Sequence, residues 1–430
     1  MAIDAAHSQA LPLPDHPRRP TAIDVFAYAC SLAIVFTYGQ GWAAPLTGWA
    51  SDPSKLTLLK IGFLPAYGLT LVLAAMSPVR TLVSALRTPV IYALLALALA
   101  SSIWSLDGGA TARRVLALFF TTFAGSVLAA RWSLRQLNEI IAAQFFVLMI
   151  LSFAFAILPP GHGIMTELFP GAWRGVWTEK NGLGALMTFG ALSCLAAAVL
   201  SPPRRWFWAA AALGCLALVL LSTSKTSLLA LLLGLSAMVG VGMFRRGPVV
   251  AVISTWLTVS ATILVGGLLV LAPEVIFDAL NKDTTLTGRT EIWAAAIRQG
   301  LAHNPLGGFG YGVLWDHREP FEPASWIAHD AGFVAGHAHN GWLEVWLGLG
   351  FVGLAIWTVA YLGNFFRVVW AAYTSPRAYA VLPFFIVFSI TGLTEVSILD
   401  YHDIEWTIYV AFAACLSLAQ RKDAEAVNSP

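Results

Sequence analysis

The sequence predicts an all-α integral membrane protein with about 12 transmembrane helices and one large loop that contains short helices. Of the 430 residues, 58% are hydrophobic and only 11% are charged, whereas an average globular chain has about 25% charged residues. The apolar residues form long runs without the alternation of a membrane-spanning strand, which indicates helices. The net charge of +2 excludes a polybasic nucleic-acid-binding protein, so we expect no nucleic-acid partner.

Twelve apolar runs are long enough to cross a hydrocarbon core about 30 Å thick, which takes about 20 helical residues. They lie at 22–40, 56–76, 89–105, 113–131, 137–158, 180–200, 206–222, 226–243, 248–272, 341–365, 378–394 and 403–420. The expected parts of the chain are a flexible cytoplasmic tail (1–21), transmembrane helices 1–9 (22–272), a large outer loop (273–340), transmembrane helices 10–12 (341–420) and a second cytoplasmic tail (421–430).

Arginine and lysine positions orient these spans, because cytoplasmic loops carry an excess of both residues. With both termini in the cytoplasm, every inner segment carries two cations: Arg18 and Arg19, Arg80 and Arg87, Arg131 and Arg135, Arg204 and Arg205, Arg245 and Arg246, Arg367 and Arg377, and Arg421 and Lys422. Fourteen of the 25 cations thus follow the orientation rule. The other eleven lie on or near the outer side, where the rule disfavours them, which indicates that several bind an anion there.

The large outer loop contains TGRTEIWAAAIRQGLAHNP, which predicts a helix over about 287–304. Arg289 lies in its first turn, where free backbone N–H groups and the positive end of the helix dipole favour a phosphate. Trp293 belongs to its apolar face. Two other roles for Arg289 stay open, namely contact with the membrane surface and an ion pair with Glu291. The GGFGYG run at 307–312 predicts a tight irregular turn, since a nucleotide-binding loop of this kind follows a strand.

A second motif of the outer loop, HAHNGWLE, begins at His337 and leads into the tenth span. His337 and His339 stand just before the membrane, where an imidazole can accept or donate a proton. Asn340 is a favourable helix N-cap and Glu344 falls in the early turns, so helix capping is an alternative role for the motif. An H-x-H pattern without a known third ligand is weak support for a metal site, and we expect neither a metal nor a cofactor.

Further polar residues lie at the outer ends of other spans. They are Lys60 inside the second span, Arg113 and Arg114 at the start of the fourth, Lys180 and Asn181 at the start of the sixth, Lys225 in the STSKTS turn before the eighth, and Glu395 in the last outer loop. Snorkelling of Lys60 to the surface and a plain solvated turn around Lys225 are the structural alternatives. Cations with a histidine and carboxylates beside a lipid phase fit a lipid diphosphate, whose leaving charge the cations neutralise while a histidine or glutamate deprotonates an acceptor hydroxyl.

Four motifs occur in an order known from one family: WTEKNGLG, STSKTS, TGRTEIW with NPLGGFGYG, and HAHNGWLEVWLGLGFVG. Over about residues 100–410 the sequence resembles the bacterial O-antigen ligase and O-antigen/exopolysaccharide polymerase superfamily. Arg289 matches the loop arginine that the family uses to hold diphosphate, and His339 matches the essential histidine, with His337 beside it. Lys225 stands where the ligases carry Ser-Arg and lacks the bidentate fork of arginine, so the chain is more similar to the exopolysaccharide-polymerase branch.

The resemblance implies a C-type glycosyltransferase-like architecture and a metal-independent enzyme of the bacterial inner membrane with its active site at the periplasmic face. The implied reaction polymerises undecaprenyl-diphosphate-linked oligosaccharide repeat units into a surface polysaccharide. The implied partners are the lipid-linked glycan donor, a second lipid-linked glycan as acceptor, and the lipid bilayer. Two alternatives stay open: an O-antigen ligase that transfers the same donor glycan to lipid A–core, and a transporter of lipid-linked sugars.

Overall fold

The computed structural model describes residues 21–49, 56–158, 162–167, 169–271 and 288–427. Over these ranges the chain folds almost entirely into helices: α1 (Ala22–Tyr38), α2 (Ala43–Thr47), α3 (Leu56–Gly62), α4 (Leu64–Met76), α5 (Pro78–Leu86), α6 (Pro89–Ala100), α7 (Gly108–Arg131), α8 (Leu134–Ile157), α9 (Lys180–Leu200), α10 (Arg205–Leu221), α11 (Lys225–Phe244), α12 (Pro248–Leu271), α13 (Arg289–His303), α14 (Pro323–Ala331), α15 (Gly341–Thr374), α16 (Ala378–Thr394) and α17 (Ile404–Val427). Most of the predicted first tail and the first part of the predicted outer loop lie outside the described residues.

Seven helical segments of the described chain are long and apolar enough to cross a membrane. They are Leu58–Met76, Gly108–Arg131, Leu134–Ile157, Lys180–Leu200, Pro202–Leu221, Lys225–Phe244 and Gly341–Thr374. The segments Pro78–Leu86 and Pro89–Ile103, bent by 84° at their junction, add one more if they act as a single span, and four shorter apolar helices begin at Ala22, Pro248, Ala378 and Ile404. The predicted all-α integral membrane fold is confirmed, while the number of twelve spans stays a prediction.

Helix α5 occupies residues that the predicted spans left as an inner connection. Its apolar residues, among them Val79, Leu82 and Leu86, are exposed on the outside of the bundle. Its buried positions are instead the small polar residues Thr81 and Ser84, and the Ser84 hydroxyl donates to a main-chain carbonyl of α7 at 2.8 Å. Because polar and apolar residues alternate along the helix, a search for uniform apolar runs does not find it.

Helix α15 is interrupted at Gly350, whose backbone is left-handed with φ 64° and ψ −167°. The segment 305–312 lies against this break, and the N–H groups of Phe309 and Gly310 donate to carbonyls of the interrupted turn at 2.8 and 3.0 Å. A Cβ atom on Gly350 would overlap the carbonyl of Leu306, and the positive φ itself disfavours any other residue. The GGFGYG run therefore forms a tight turn that fixes the outer segment to a membrane helix.

Helices α11 and α16 pack side by side in opposite directions. A Cβ atom on Gly242 would lie 3.1 Å from the Tyr379 hydroxyl, and one on Gly234 would lie 3.2 Å from Val387 Cγ2. Residue numbers thus increase along α11 in the direction in which they decrease along α16. The start of α11 and the end of α16, which is followed by Glu395, therefore lie at the same end of the bundle, called the site end below.

Helices α9 and α11 run in the same direction. The Thr188 hydroxyl of α9 donates to the carbonyl of Ser227 at 3.2 Å, and further along the pair Gly234 contacts Leu192. Because residue numbers increase in the same direction along both helices, α9 also starts at the site end. The first residues of α9 and α11, both lysines, therefore stand near the end of α16.

The short helices α13 and α14 pack against the start of α15 through a small apolar core of their own. Buried members of this core are Ile292, Ala296, Trp315, Ile327 and Trp346. The burial of such side chains stabilises the arrangement by roughly 1.5–3 kcal/mol each. This packing places the first residue of α13 beside the loop that precedes α15.

Candidate active site

Three of the predicted site residues, Arg289, Glu395 and His339, form one chain of contacts at the site end. Arg289 donates from Nη2 to Glu395 Oε1 at 3.0 Å and from Nη1 to the carbonyl of Thr394 at 2.5 Å. The second carboxylate oxygen, Glu395 Oε2, lies 3.1 Å from His339 Nδ1. The neighbouring acid Glu291 contacts the Thr290 hydroxyl, so the ion pair of Arg289 is formed with the distant Glu395.

The electrostatics of this chain favour an ionised Glu395. Burial alone would raise the pKa of Glu395, but the hydrogen bond with His339 and the charge of Arg289 outweigh it and hold the pKa below its usual value. When His339 donates from Nδ1 to this carboxylate, its Nε2 carries a lone pair that can accept a proton. The exposed side-chain fractions are 21% for Arg289, 38% for Glu395 and 35% for His339, so the three groups are open to a substrate.

The loop before α15 is held through its backbone. Trp293 Nε1 donates to the carbonyl of Ala338 at 2.7 Å, and the N–H of Ala338 donates to Glu344 Oε1 at 2.6 Å. Asn340 Oδ1 caps α15 by accepting from two N–H groups of its first turn at 3.0 and 3.1 Å. His339 itself has a φ of 49°, a backbone conformation that needs such support. Trp293, Asn340 and Glu344, which were predicted to bind substrate, thus contact the start of α15 or the loop 337–340 before it, called the histidine loop below.

His337 stands directly beside His339, with ring centres 3.8 Å apart. Its Nδ1 accepts a hydrogen bond from the backbone N–H of His339 at 3.2 Å. Burial and the neighbouring His339 lower the pKa of His337 to about 4, so its ring is neutral at pH 7. His337 therefore supports the histidine loop without adding a second positive charge.

Lys180 and Lys225 form a second group at the site end. Lys180 Nζ lies 3.5 Å from the Thr223 hydroxyl and near enough to Lys225 to be repelled by its charge. Continued from the Gly234–Val387 contact by about two and a half helical turns, the register of α11 against α16 brings Lys225 level with Glu395 along the bundle. Asn181 is exposed on the first turn of α9. Two ammonium groups at two helix N-termini favour an anion at this place.

The remaining predicted cations do not join these groups. Arg114 donates to the carbonyl of Gly312 and pairs with Asp316. Arg113 is exposed and lies near Asp107, whose pKa is lowered by a hydrogen bond from the Ala110 backbone N–H and by the charge of Arg113. Lys60 is exposed on α3.

A cavity of about 460 Å³ lies between the Arg114 pair and the histidine loop. Residues 310–316, the start of α15 and the loop 395–401 form its wall, in which the polar side chains are Arg114, Tyr311, Trp315, Asp316, His337, Glu344, Glu395, Asp400 and Tyr401. The cavity therefore connects the Arg289–Glu395–His339 chain with a second set of polar groups.

The sequence analysis gave no specific role to Asp316, Asp400 or Tyr401, although Asp400 belongs to the last outer loop, whose carboxylates it expected beside the outer cations. Asp316 stands 202 positions from its partner Arg114, and no local pattern links the two. Asp400 and Tyr401 belong to the short ILDYHD run between two apolar spans. Acidic and aromatic residues confined to so short a connection are a signal that could have identified them.

The fold and the site define a multi-pass membrane protein in which the ends of several helices surround a polar cavity. A family model described as O-antigen ligase matches residues 209–358. The exopolysaccharide production protein ExoQ of Rhizobium meliloti (strain 1021) is 30% identical over 207 residues. This match covers 45% of the chain and 46% of the relative, so the chain spans about half the length of the curated relative it matches. The resemblance to the O-antigen ligase and exopolysaccharide polymerase superfamily is confirmed.

The family match contains part of the site. Lys225, Arg289 and both histidines of the H-x-H motif lie within residues 209–358. Glu395 lies beyond this region but contacts Arg289 and His339 directly. The matched domain is therefore completed by the loop after α16.

Proposed function

We propose that this protein is a glycosyltransferase that polymerises lipid-diphosphate-linked oligosaccharide repeat units into a surface polysaccharide. The observation that carries the proposal is the chain Arg289–Glu395–His339, which unites a diphosphate-binding cation with a proton acceptor. The O-antigen ligase domain and the exopolysaccharide-related relative support a lipid-linked glycan as substrate. Undecaprenyl diphosphate is the lipid carrier we propose.

The proposed reaction is one displacement at an anomeric carbon. The terminal hydroxyl of one lipid-linked unit attacks the anomeric carbon of the glycan on a second lipid, and the bond from that carbon to the diphosphate oxygen breaks. His339 Nε2 takes the hydroxyl proton, and the ionised Glu395 stabilises the imidazolium that results. A single displacement inverts the anomeric configuration, which linkage analysis of the product tests.

The leaving diphosphate carries the negative charge of the reaction. Arg289 uses two of its five N–H groups on Glu395 and Thr394, so others remain for phosphate oxygens. Lys225 and Lys180 supply two further charges from the same end of the bundle, where charge-assisted hydrogen bonds are strong. In this proposal Trp293, Asn340, Glu344 and His337 position the histidine loop, while Arg113, Asn181 and Lys60 have no assigned step.

A ligase is the second candidate, because the matched family model is described as O-antigen ligase. It would use the same donor chemistry and transfer the glycan to lipid A–core. Purified protein in liposomes, supplied with lipid-linked repeat units and lipid A–core in separate reactions, distinguishes the two. A ladder of products with repeat units alone supports the polymerase, and a single addition to lipid A–core without a ladder would replace it with the ligase.

A transporter of lipid-linked sugars would need polar groups along a path through the membrane. The functional candidates described here stand at one end of the bundle instead. If His339→Ala and Arg289→Ala left glycan assembly intact in cells with normal protein levels, the transferase proposal would be wrong.

We also propose the membrane orientation. Both termini lie in the cytoplasm, residues 273–340 form the large periplasmic loop between helices 1–9 and helices 10–12, and the site end faces the periplasm of a bacterial inner membrane. The cation pattern of the inner segments supports this orientation. Arg204→Cys and Glu319→Cys, each introduced singly into a chain from which the four native cysteines have been removed and probed with an impermeant thiol reagent, test it. Labelling at 319 alone in whole cells fits the proposal, and labelling at 204 alone reverses it.

A further inference from the structure

The cavity beside Glu395 carries more acidic than basic groups. Asp316, Glu344, Glu395 and Asp400 line it, and the only guanidinium among its described wall residues is that of Arg114. Arg114 is already paired with Asp316. Burial and the neighbouring Asp403 raise the pKa of Asp400 well above its usual value, and Glu395 is paired with Arg289. With the His337 ring also uncharged, the described wall offers an anion no free counter-charge, and burying an unpaired charge there is unfavourable.

The cations that suit a diphosphate lie outside this cavity. Lys180 and Lys225 are absent from its described lining, as is Arg289, which reaches it only through Glu395. The site end is thus divided at Glu395 and His339 into a basic side and a side whose described wall has no unpaired cation. A diphosphate-linked donor is charged and a hydroxyl acceptor is not. A reaction between the two requires two binding places that differ in charge.

The wall of the cavity offers the groups that bind sugar hydroxyls. Carboxyl groups form hydrogen bonds with hydroxyls, and a phenol such as that of Tyr401 both donates and accepts. Trp315 and Tyr311 add aromatic surface, and the position of Trp315 is fixed because its Nε1 donates to Glu344 at 2.8 Å. The volume of about 460 Å³ is within the roughly 300–1,000 Å³ of small-molecule sites.

We propose that this cavity is the acceptor subsite and that it binds the uncharged terminal sugar of the acceptor glycan, with Asp400 and Tyr401 hydrogen-bonded to its hydroxyls. The inference rests on the proposed function, since it names the acceptor of that same reaction. A sugar seated here places a hydroxyl beside Glu395 and the histidine loop, and its neighbours on the basic side hold the donor diphosphate.

The test separates the two substrates of the full-length protein in liposomes. The donor carries a terminal sugar that lacks the attacking hydroxyl, so it cannot accept. The acceptor has carbon in place of its anomeric oxygen, so it cannot donate, and it is made with either a neutral hexose or a hexuronate at its free end. Transfer is measured for the wild type, Asp400→Ala and Tyr401→Phe over a range of each substrate.

We expect each substitution to lower kcat/KM for the neutral acceptor about tenfold, the worth of one lost hydrogen bond to a charged or buried group, with the KM of the donor unchanged. We expect the wild type to use the hexuronate acceptor about 100-fold less efficiently, because its charge would be buried in the cavity without a counter-charge. The control is Asp330→Asn, in an ion pair with Arg298 on the exposed side of α13 and α14, and it should alter neither constant.

Each outcome decides one of the two proposals. Equal use of both acceptors by the wild type, or loss of donor and acceptor efficiency to the same degree in both variants, would overturn the acceptor subsite and leave the transferase proposal standing. If the wild type transfers glycan to neither acceptor, the proposed function itself is wrong. Should Asp400→Ala fail to fold, as judged by its thermal melt in detergent, Tyr401→Phe decides alone.

Discussion

His339 and His402 both lie in connections at the site end, and both have left-handed backbones, with φ of 49° and 64°. Their neighbours differ. His339 contacts the carboxylate of Glu395 at 3.1 Å, whereas the His402 ring stacks on Phe63 with centres 3.7 Å apart and bonds the Tyr67 hydroxyl. A carboxylate stabilises the imidazolium, whereas burial away from water, as at His402, disfavours it. The partner of each ring, and not the residue type, therefore decides which histidine can serve as a proton acceptor.

The largest effect should follow from removing the proposed base. His339→Ala is expected to lower glycan transfer by about 10²–10⁴-fold, the usual contribution of a general base, with little change in donor binding. The measurement is the initial rate of product formation by purified protein in liposomes. If more than a tenth of the wild-type rate remains, His339 does not have the role that separates it from His402.

Arg289 should come next. Arg289→Ala removes both the diphosphate cation and the partner of Glu395, and we expect a loss of about 10²-fold in kcat/KM for the donor. Arg289→Lys keeps the charge without the planar fork and should recover only part of the rate. Full recovery of the rate by lysine would show that a single positive charge suffices at position 289, as the lysine at position 225 supplies. It would also show that the two contacts of Arg289 with Glu395 and Thr394 are dispensable.

Glu395→Gln tests the carboxylate that distinguishes the two histidines. We expect about tenfold slower transfer at pH 7, because the amide no longer stabilises a charged imidazole. The folded pKa of Glu395 is lowered, so its ionised form contributes stability that is present above its ordinary pKa of about 4.3 and is lost as the pH falls through the lowered value. The variant should therefore melt at a lower temperature than the wild type at pH 7, and the difference should shrink towards pH 3. A difference that stays constant with pH would contradict an ionised Glu395.

The smallest effect on transfer should come from His402. Burial lowers the pKa of His402 to about 4, so its neutral form contributes stability that is complete above its ordinary value of about 6.5 and is lost as the pH falls from there towards 4. His402→Phe keeps the stacking on Phe63, and we expect a rate within twofold of the wild type at pH 7. Its melting temperature should change less than that of the wild type between pH 7 and pH 5. A rate loss as large as that of His339→Ala would remove the contrast between the two rings.

Local sequence patterns predicted the helices and the individual site motifs but not their assembly. Long apolar runs have one stable outcome in a membrane, so α7 and α9 were readable from hydrophobicity. Arg289 was readable because it stands in the first turn of a predicted helix, within a recognisable motif. Its contact with Glu395, 106 positions away, depends on packing of helices whose neighbours no local pattern specifies.

The same reasoning explains the residues that were assigned a binding role from their position alone. Trp293 and Glu344 are polar or amphipathic residues near a predicted site, and such residues bind substrate or support the loops that do. The sequence cannot separate these roles, because the decision depends on where the Ala338 backbone lies. Asp316 shows the converse case, since its importance arises only from Arg114 on a distant helix.

The packing of segment 305–312 against the break in α15 bears on the order in which the protein folds during synthesis. Trp104 Nε1 donates to the carbonyl of Gly307 at 3.0 Å, so this segment is held between the end of the third predicted span and the tenth. During synthesis Trp104 is made more than 200 residues before the segment that it contacts. The cavity and the histidine loop can thus form only after the ribosome has passed Gly350. A substitution at Gly350 would therefore impair the folding of the newly made chain. It would disturb the whole site although Gly350 itself contacts no substrate.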